Sequence, residues 1–486
     1  MLFNSPLFLF IFLPVCLLAF RLLARVSWRG ALAVLTLASV VFYGWWDLAH
    51  SWPMALSILG NFALGLILVR TRDGSWGGMV LALGIGLNLA MLGWFKYAGF
   101  MAANLQALTG IPLGLEPVLL PLGISFFTFT QIAYLVDVRR RVASEPGLMN
   151  YTLFVTFFPH LIAGPIIHHK GMMPQFETRK RHAFADDFAA GSALFVIGLS
   201  KKLILADPVA KYVADGFTAA ALGEPLGLLA AWQAALAYTA QIYFDFSAYS
   251  DMALGLARMF GIDLPVNFNS PYQARNIIEF WRRWHMTLSR FLRDYLYVPL
   301  GGNRQGPWRR HVNLMLVMLI GGLWHGAAWT FIAWGGLHGL YLMVNHLWRD
   351  WRGERQTGPL GQAAAWGLTL LAVVVAWVFF RANDFGAALG MLAGMAGLNG
   401  VGAQSALASR QGLGLAAGLL ILAMAAPNSQ QIMRLCRPGL TPVEGPILLS
   451  KLVWRPDLRW ALGLAVLALA SVVSLWSPTE FLYYRF

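Results

Sequence analysis

The sequence predicts an all-α polytopic membrane protein, with about 10–12 transmembrane helices plus re-entrant and interfacial helices. Three observations carry this. Of 486 residues, 58% are apolar and only 12% charged, whereas a soluble domain carries about 25% charge. Apolar runs close to the length that spans a bilayer, about 20 residues, recur along the whole chain. The basic residues fall mostly in short loops between these runs, as topology signals on the cytoplasmic side do. The formal charge of +14 is therefore not a nucleic-acid signature.

The apolar runs open at roughly 6–24, 31–48, 53–70 and 77–95. The first lacks the basic leader and A-x-A site of a cleavable signal. Arg21, Arg25 and Arg29 follow it, which puts its start outside and the arginines inside. Further runs fall at about 117–136, 150–167, 187–206, 226–244 and 247–261. Within 150–167, "FFPHLIAGPI" carries Pro159 and Pro165, and both flanks are basic: Arg139, Arg140 and Arg141 before, Lys170, Arg179, Lys180 and Arg181 after. A re-entrant hairpin lining a cavity satisfies both facts, because irregular backbone at membrane depth needs protein or water around it. The last runs are 312–328, 329–348, 362–381, 384–398, 411–427 and 459–476. No linker divides the chain, so residues 1–486 read as one membrane-embedded domain.

The longest polar stretch, Asn267–His311, holds Arg275, Arg282, Arg283, Arg290, Arg293, Arg304, Arg309 and Arg310 against Glu279 and Asp294. It reads as cytoplasmic. In "IIEFWRRWHMTLSRFLRDYLYVPL", Trp281, Trp284, Leu288, Leu292 and Tyr295 share one helical face. Such a helix lies in the interface, apolar face down, with His285 towards the membrane.

Ionisable groups inside a membrane are costly and mark the protein interior or a wet cavity. The candidates are His160, Asp245, Asp251, His325, His338 and Lys96. His325 and His338 lie in an uncharged stretch, each just before a glycine. Gly322/Gly326 and Gly335/Gly339 have the G-x-x-x-G spacing that lets two helices approach closely. Either histidine serves packing or chemistry on this reading. "QIYFDFSAYSD" places Asp245, Ser247, Tyr249 and Asp251 together, as a packing network or as a cavity wall and proton relay.

Metal, phosphate-cradle and Ser-His-Asp patterns are absent, and Cys16 and Cys436 make no disulfide framework. A histidine beside a basic cytoplasmic helix suits acyl transfer. Neutral imidazole, with a pKa near about 6.5, takes a proton from a hydroxyl as it attacks a thioester. Arg283, Arg290 and Arg293, spaced along one helix, would clamp an anionic donor.

"FFPHLIAGPI", "QIYFDFSAYSDMALGLARMFGI", "NFNSPY", "EFWRRWHMTLSRFLRDYLYVPLGGNR" and "GGLWHGAAWTF" resemble the membrane-bound O-acyltransferase family, in its alginate O-acetyltransferase branch. The resemblance covers the motif core, residues 120–340. It implies a multi-helix fold around a central cavity in a bacterial inner membrane. It implies acetyl-CoA as cytoplasmic donor, with no permanently bound cofactor, and an exported polysaccharide such as alginate as acceptor. A periplasmic acetyltransferase partner would finish the transfer. The family's catalytic histidine falls on His325 and its second histidine on His285, while His338 reverts to packing. Ala248 stands where the alginate pattern usually has glycine, and "GPIIHHKGMMPQF" also departs from it. A carrier-fed transferase of the D-alanyl kind and a proton-coupled transporter using Asp245, Asp251 and His325 are the alternatives; no inverted repeat supports the transporter.

Lys451, Arg455 and Arg459 precede the last span, which puts the C-terminus outside, in the periplasm. Its aromatic end, Phe481–Phe486, reads as an interfacial anchor or a docking strip for the partner. A reporter fused after Phe486 is expected to be active only outside the cytoplasm; cytoplasmic activity would overturn the orientation.

Overall fold

A computed structural model describes residues 1–111, 114, 118–143, 147–178, 184–353, 358–402, 407–436, 439, 452–476 and 482. The C-terminal segment, Leu482 apart, lies outside the described residues, as do Arg179, Lys180, Arg181 and Lys451. The described residues form helices and loops, with one isolated bridge between Leu264 and Gly439. Five helical stretches are long and apolar enough to cross a membrane: Phe8–Val26, Trp52–Thr71, Ser75–Thr109, Phe184–Ala221 and Pro359–Arg381. Shorter apolar helices are Trp28–Gly44, Phe385–Met395, Arg410–Ala425 and Leu458–Ser474. In the span within Phe8–Val26 only 17% of residues are buried. Its apolar side chains therefore face outward, which lipid permits and water does not.

The chain divides into two compact units. Unit 1 is Met1–Phe195, Met252–Pro265 and Pro438–Thr441; unit 2 is Val196–Asp251, Val266–Arg437 and Pro442–Phe486. The boundary runs through the helices Phe184–Ser200 and Leu228–Met259, so no linker composition marks it.

Unit 1 packs Phe8, Phe12, Phe42 and Phe158 edge to face and tilted, with centroids 5.4–6.0 Å apart. Asn61 and Asn88 exchange side-chain hydrogen bonds in its interior. Lys96 donates to Ser125 Oγ at 3.0 Å. Buried Arg258 bonds Asp187 and Asp263 at 2.8 and 2.7 Å. The "FFPHLIAGPI" stretch is fully buried and not one helix. The helix Leu148–Thr156 stops at Phe157, whose ψ is 105°, and a single turn, Phe158–Leu161, follows. Pro159 suits the start of that turn, where no donor is needed. His160 Nε2 meets the Phe154 carbonyl at 3.0 Å, which satisfies a group that the break leaves open.

Unit 2 is organised by two helices, which we label α1 (Gly306–His325) and α2 (Trp329–Arg352). They form a hairpin. A Cβ on Gly322 would lie 2.2 Å from the Phe331 carbonyl oxygen, and one on Gly335 would lie 2.2 Å from that of Met318. Only hydrogen fits at either place, as the glycine spacing predicts. Ser409, Asp384 and Asn428 cap the following helices with side-chain oxygens.

The expected interfacial helix is corrected. Ile277–Arg283 and Met286–Leu292 are separate short helices, and a π-helical turn, Arg293–Tyr297, follows. His285 breaks the run with φ +41°. Trp281, Trp284, Leu288 and Leu292 are buried inside the protein. Their apolar face packs on protein, with Trp284 and Trp377 at 4.9 Å, and does not lie on lipid.

Gly335→Ala is expected to destabilise the protein by about 1–3 kcal/mol, the usual cost of overpacking. Gly336→Ala should be nearly neutral, because its Cβ would meet only Leu319 Cδ2, at 3.6 Å. Thermal aggregation of the detergent-purified variants checks the contrast.

Candidate functional site

Helix α1 ends at His325, and Gly326 turns the chain with extended angles, φ −161° and ψ 150°. His325 is buried. Trp334 and Phe380 stand edge-on to its ring at 5.1 Å, with Trp324 at 4.9 Å. The hairpin fixes this geometry, because Trp334 precedes the glycine that touches α1.

His285 reaches the same place by a different route. Left-handed backbone costs a residue with a side chain about 1–3 kcal/mol, though histidine tolerates it better than most. At φ +41° the side chain turns inward between its two short helices, and none of it is exposed. Its ring lies 6.5 Å from that of His325, centroid to centroid. Phe246 stands edge-on at 4.8 Å, and Phe268 and Trp324 close the surroundings. Burial lowers the His285 pKa to about 3, so the ring is neutral at neutral pH.

One polar residue meets His285. Asn267 Oδ1 lies 3.0 Å from His285 Nδ1, and it accepts from Thr287 Oγ1 at 2.9 Å and from the Thr287 backbone N–H at 3.3 Å. Asn267 Nδ2 donates to Ser250 Oγ at 3.3 Å. Sequence reasoning missed Asn267 and Thr287. The available signal was an asparagine set between the apolar residues Val266 and Phe268.

His338, which the family resemblance leaves without a role, lies among aromatic side chains. Its Nδ1 accepts from Trp281 Nε1 at 3.3 Å, and Phe280, Trp334, Tyr341 and Trp377 surround it. Asp245 and Asp251 also act structurally. Lys202 Nζ lies 2.7 Å from both Asp245 and Asp207. Lys201 pairs with Asp251 at 2.8 Å, and Ser429 and Gln430 donate to the same carboxylate. Both lysines sit in a π-helical turn, Lys201–Ala206. Two lysines inside an apolar run demand buried acids, a signal that the sequence reading passed over.

The three arginines expected to bind the donor are not arrayed along one helix, because the break at His285 separates Arg283 from Arg290 and Arg293. Arg283 pairs with Glu279 at 2.8 Å and Arg293 with Asp294 at 2.7 Å; Arg290 is half-buried. Among the described residues no group of three or more His, Cys, Asp or Glu gathers as metal ligands.

This much is a helical membrane protein with two buried imidazoles, 6.5 Å apart, in an aromatic-walled place. The model of the membrane-bound O-acyltransferase family matches residues 75–382. The chain belongs to this family. It is therefore an O-acyltransferase. A peptidoglycan O-acetyltransferase of Helicobacter pylori is 43% identical over 430 residues, 82% of this chain and 81% of that protein. A probable alginate O-acetylase of Pseudomonas putida is 40% identical over the full length of both chains. A teichoic acid D-alanyltransferase of Streptococcus thermophilus is 30% identical over 48% of this chain and 59% of that protein. The transporter alternative falls with this family membership. Asp245 and Asp251, its would-be relay, are each already held by a lysine.

Asp251→Ala is expected to cost about 3–5 kcal/mol, because it strands the Lys201 ammonium in the interior. Lys201→Met combined with Asp251→Leu should recover part of the loss. Melting of the purified proteins decides; a fully stable single variant would show the pair to be dispensable.

Proposed function

We propose that the protein is an O-acetyltransferase of a bacterial inner membrane, which takes acetyl from cytoplasmic acetyl-CoA for an exported polysaccharide. The observation that carries this is the pair His285 and His325, two buried imidazoles whose ring centroids lie 6.5 Å apart. Identity to two O-acetyltransferases of extracytoplasmic glycans, over more than four fifths of this chain, supports the acetyl group and the class of acceptor. The match to the D-alanyltransferase is lower in identity and covers about half the chain.

In the proposed step His325 takes the proton of the attacking hydroxyl. The oxygen bonds to the thioester carbonyl carbon, the carbon–sulfur bond breaks, and the proton returns to the departing sulfur. His285 holds the substrate beside it. Aromatic walls exclude water, which favours transfer over hydrolysis. Arg283, Arg290 and Arg293 meet the donor phosphates. Arg283 and Arg293 pair with partly exposed carboxylates, which phosphate can replace at small cost, and Arg283 also donates to the Asn269 carbonyl at 3.2 Å. A periplasmic acetyltransferase receives the acetyl group and completes its delivery to the polymer.

His325→Ala is expected to lower acetyl transfer by about 10²–10⁴-fold, the usual loss of a general base, while the protein remains folded in the membrane. Polymer O-acetylation in cells, normalised to protein level, is the measurement. Near-normal acetylation removes His325 from the reaction.

A further inference from the structure

We propose that Asn267 is a positioning residue that fixes the tautomer of His285, so that Nε2 always presents a lone pair to the site. The inference rests on the reading of His285 as part of the acyl-transfer site, and it goes beyond that reading by assigning which nitrogen acts and what sets it.

The argument starts from a donor that has no choice. A backbone N–H can only donate. The Thr287 N–H lies 3.3 Å from one terminal atom of the Asn267 side chain, so that atom is oxygen. The opposite flip would set the NH₂ against the N–H, and it would turn the amide oxygen to Ser250, where Nδ2 now donates. The same oxygen lies 3.0 Å from His285 Nδ1. An acceptor at that distance requires a proton on Nδ1. A neutral imidazole carries one proton, so Nε2 is bare. Nε2 is fully buried and has no hydrogen-bond partner among the described residues. A lone pair held away from water with no donor is a costly arrangement for stability alone. A substrate O–H or N–H would satisfy it.

The anchor is rigid. Asn267 is 1% exposed, and its backbone carbonyl accepts from the Met286 N–H at 2.9 Å, on the other side of His285. Side chain and main chain of one residue thus bracket the histidine. The rings that enclose His285 belong to Phe246, Phe268, Trp324 and His325, of which His325 alone titrates.

The test uses the full-length protein in membrane vesicles with labelled acetyl-CoA. Asn267→Leu keeps the volume but removes the acceptor. It should lower kcat about 10- to 100-fold, the scale on which a residue behind a ligand acts, with little change in KM for acetyl-CoA. Asn267→Asp keeps an oxygen towards both Thr287 and Nδ1. It should retain most of the activity at neutral pH while its acid limb moves to higher pH, because a carboxylate favours the charged ring. Nitrogen-15 spectra of histidine-labelled wild-type protein should show His285 protonated at Nδ1 alone, a readout that needs no variant to fold. Protonation at Nε2, or unchanged kcat in a folded Asn267→Leu variant, overturns the assignment. His285→Gln separates the two levels. If it keeps full activity, the reading of His285 itself fails; if it is inactive while Asn267→Leu is fully active, only the role of Asn267 fails.

Discussion

The contact between the backbones of α1 and α2 is the constraint on which the site depends. At Gly322 and Gly335 each helix touches the other's carbonyl oxygens with no side chain between them. This distance sets the depth of His325, because the histidine is the last helical residue before the turn. It also sets the place of Trp334, which stands edge-on to both His325 and His338. Helix association within lipid gains little from the hydrophobic effect and relies on close packing. The hairpin therefore derives its strength from the same approach that gives it its geometry.

Much of this was legible in the sequence, for a physical reason in each case. Composition and run length report the solvent, so the membrane class needed no finer detail. The paired glycines announced the hairpin, since a repeated four-residue spacing of glycine has few other uses in an apolar run. Isolation among uncharged residues marked His325 and His338 alike, and only the family resemblance chose His325. The His285 turn was not legible. No glycine or proline stands at 284–286, and the periodicity of Trp281, Trp284, Leu288 and Leu292 continues across the break. Helical periodicity records which side chains are buried, not whether the backbone between them is continuous. The interfacial reading therefore mistook a face packed on protein for one packed on lipid.

Three interior cations and three buried histidines keep different company. Lys201, Lys202 and Arg258 each meet carboxylates at 2.7–2.8 Å. His160, His285 and His338 meet neutral partners instead: a carbonyl, an amide and an indole respectively. Lysine and arginine carry their charge at neutral pH and so require an acid. An imidazole without an acid nearby stays neutral and keeps one nitrogen able to accept a proton. A ring without an acid beside it keeps that capacity where acyl transfer is proposed.

The bond from Asn267 to Nδ1 has a bioenergetic consequence. An imidazole that exchanges protons at both nitrogens can pass them from one side of a protein to the other, as a relay does. His285 is tethered at one nitrogen, so a proton that arrives at Nε2 leaves from Nε2. The ring can serve a reaction within an energised membrane without becoming a conduit that dissipates the proton gradient.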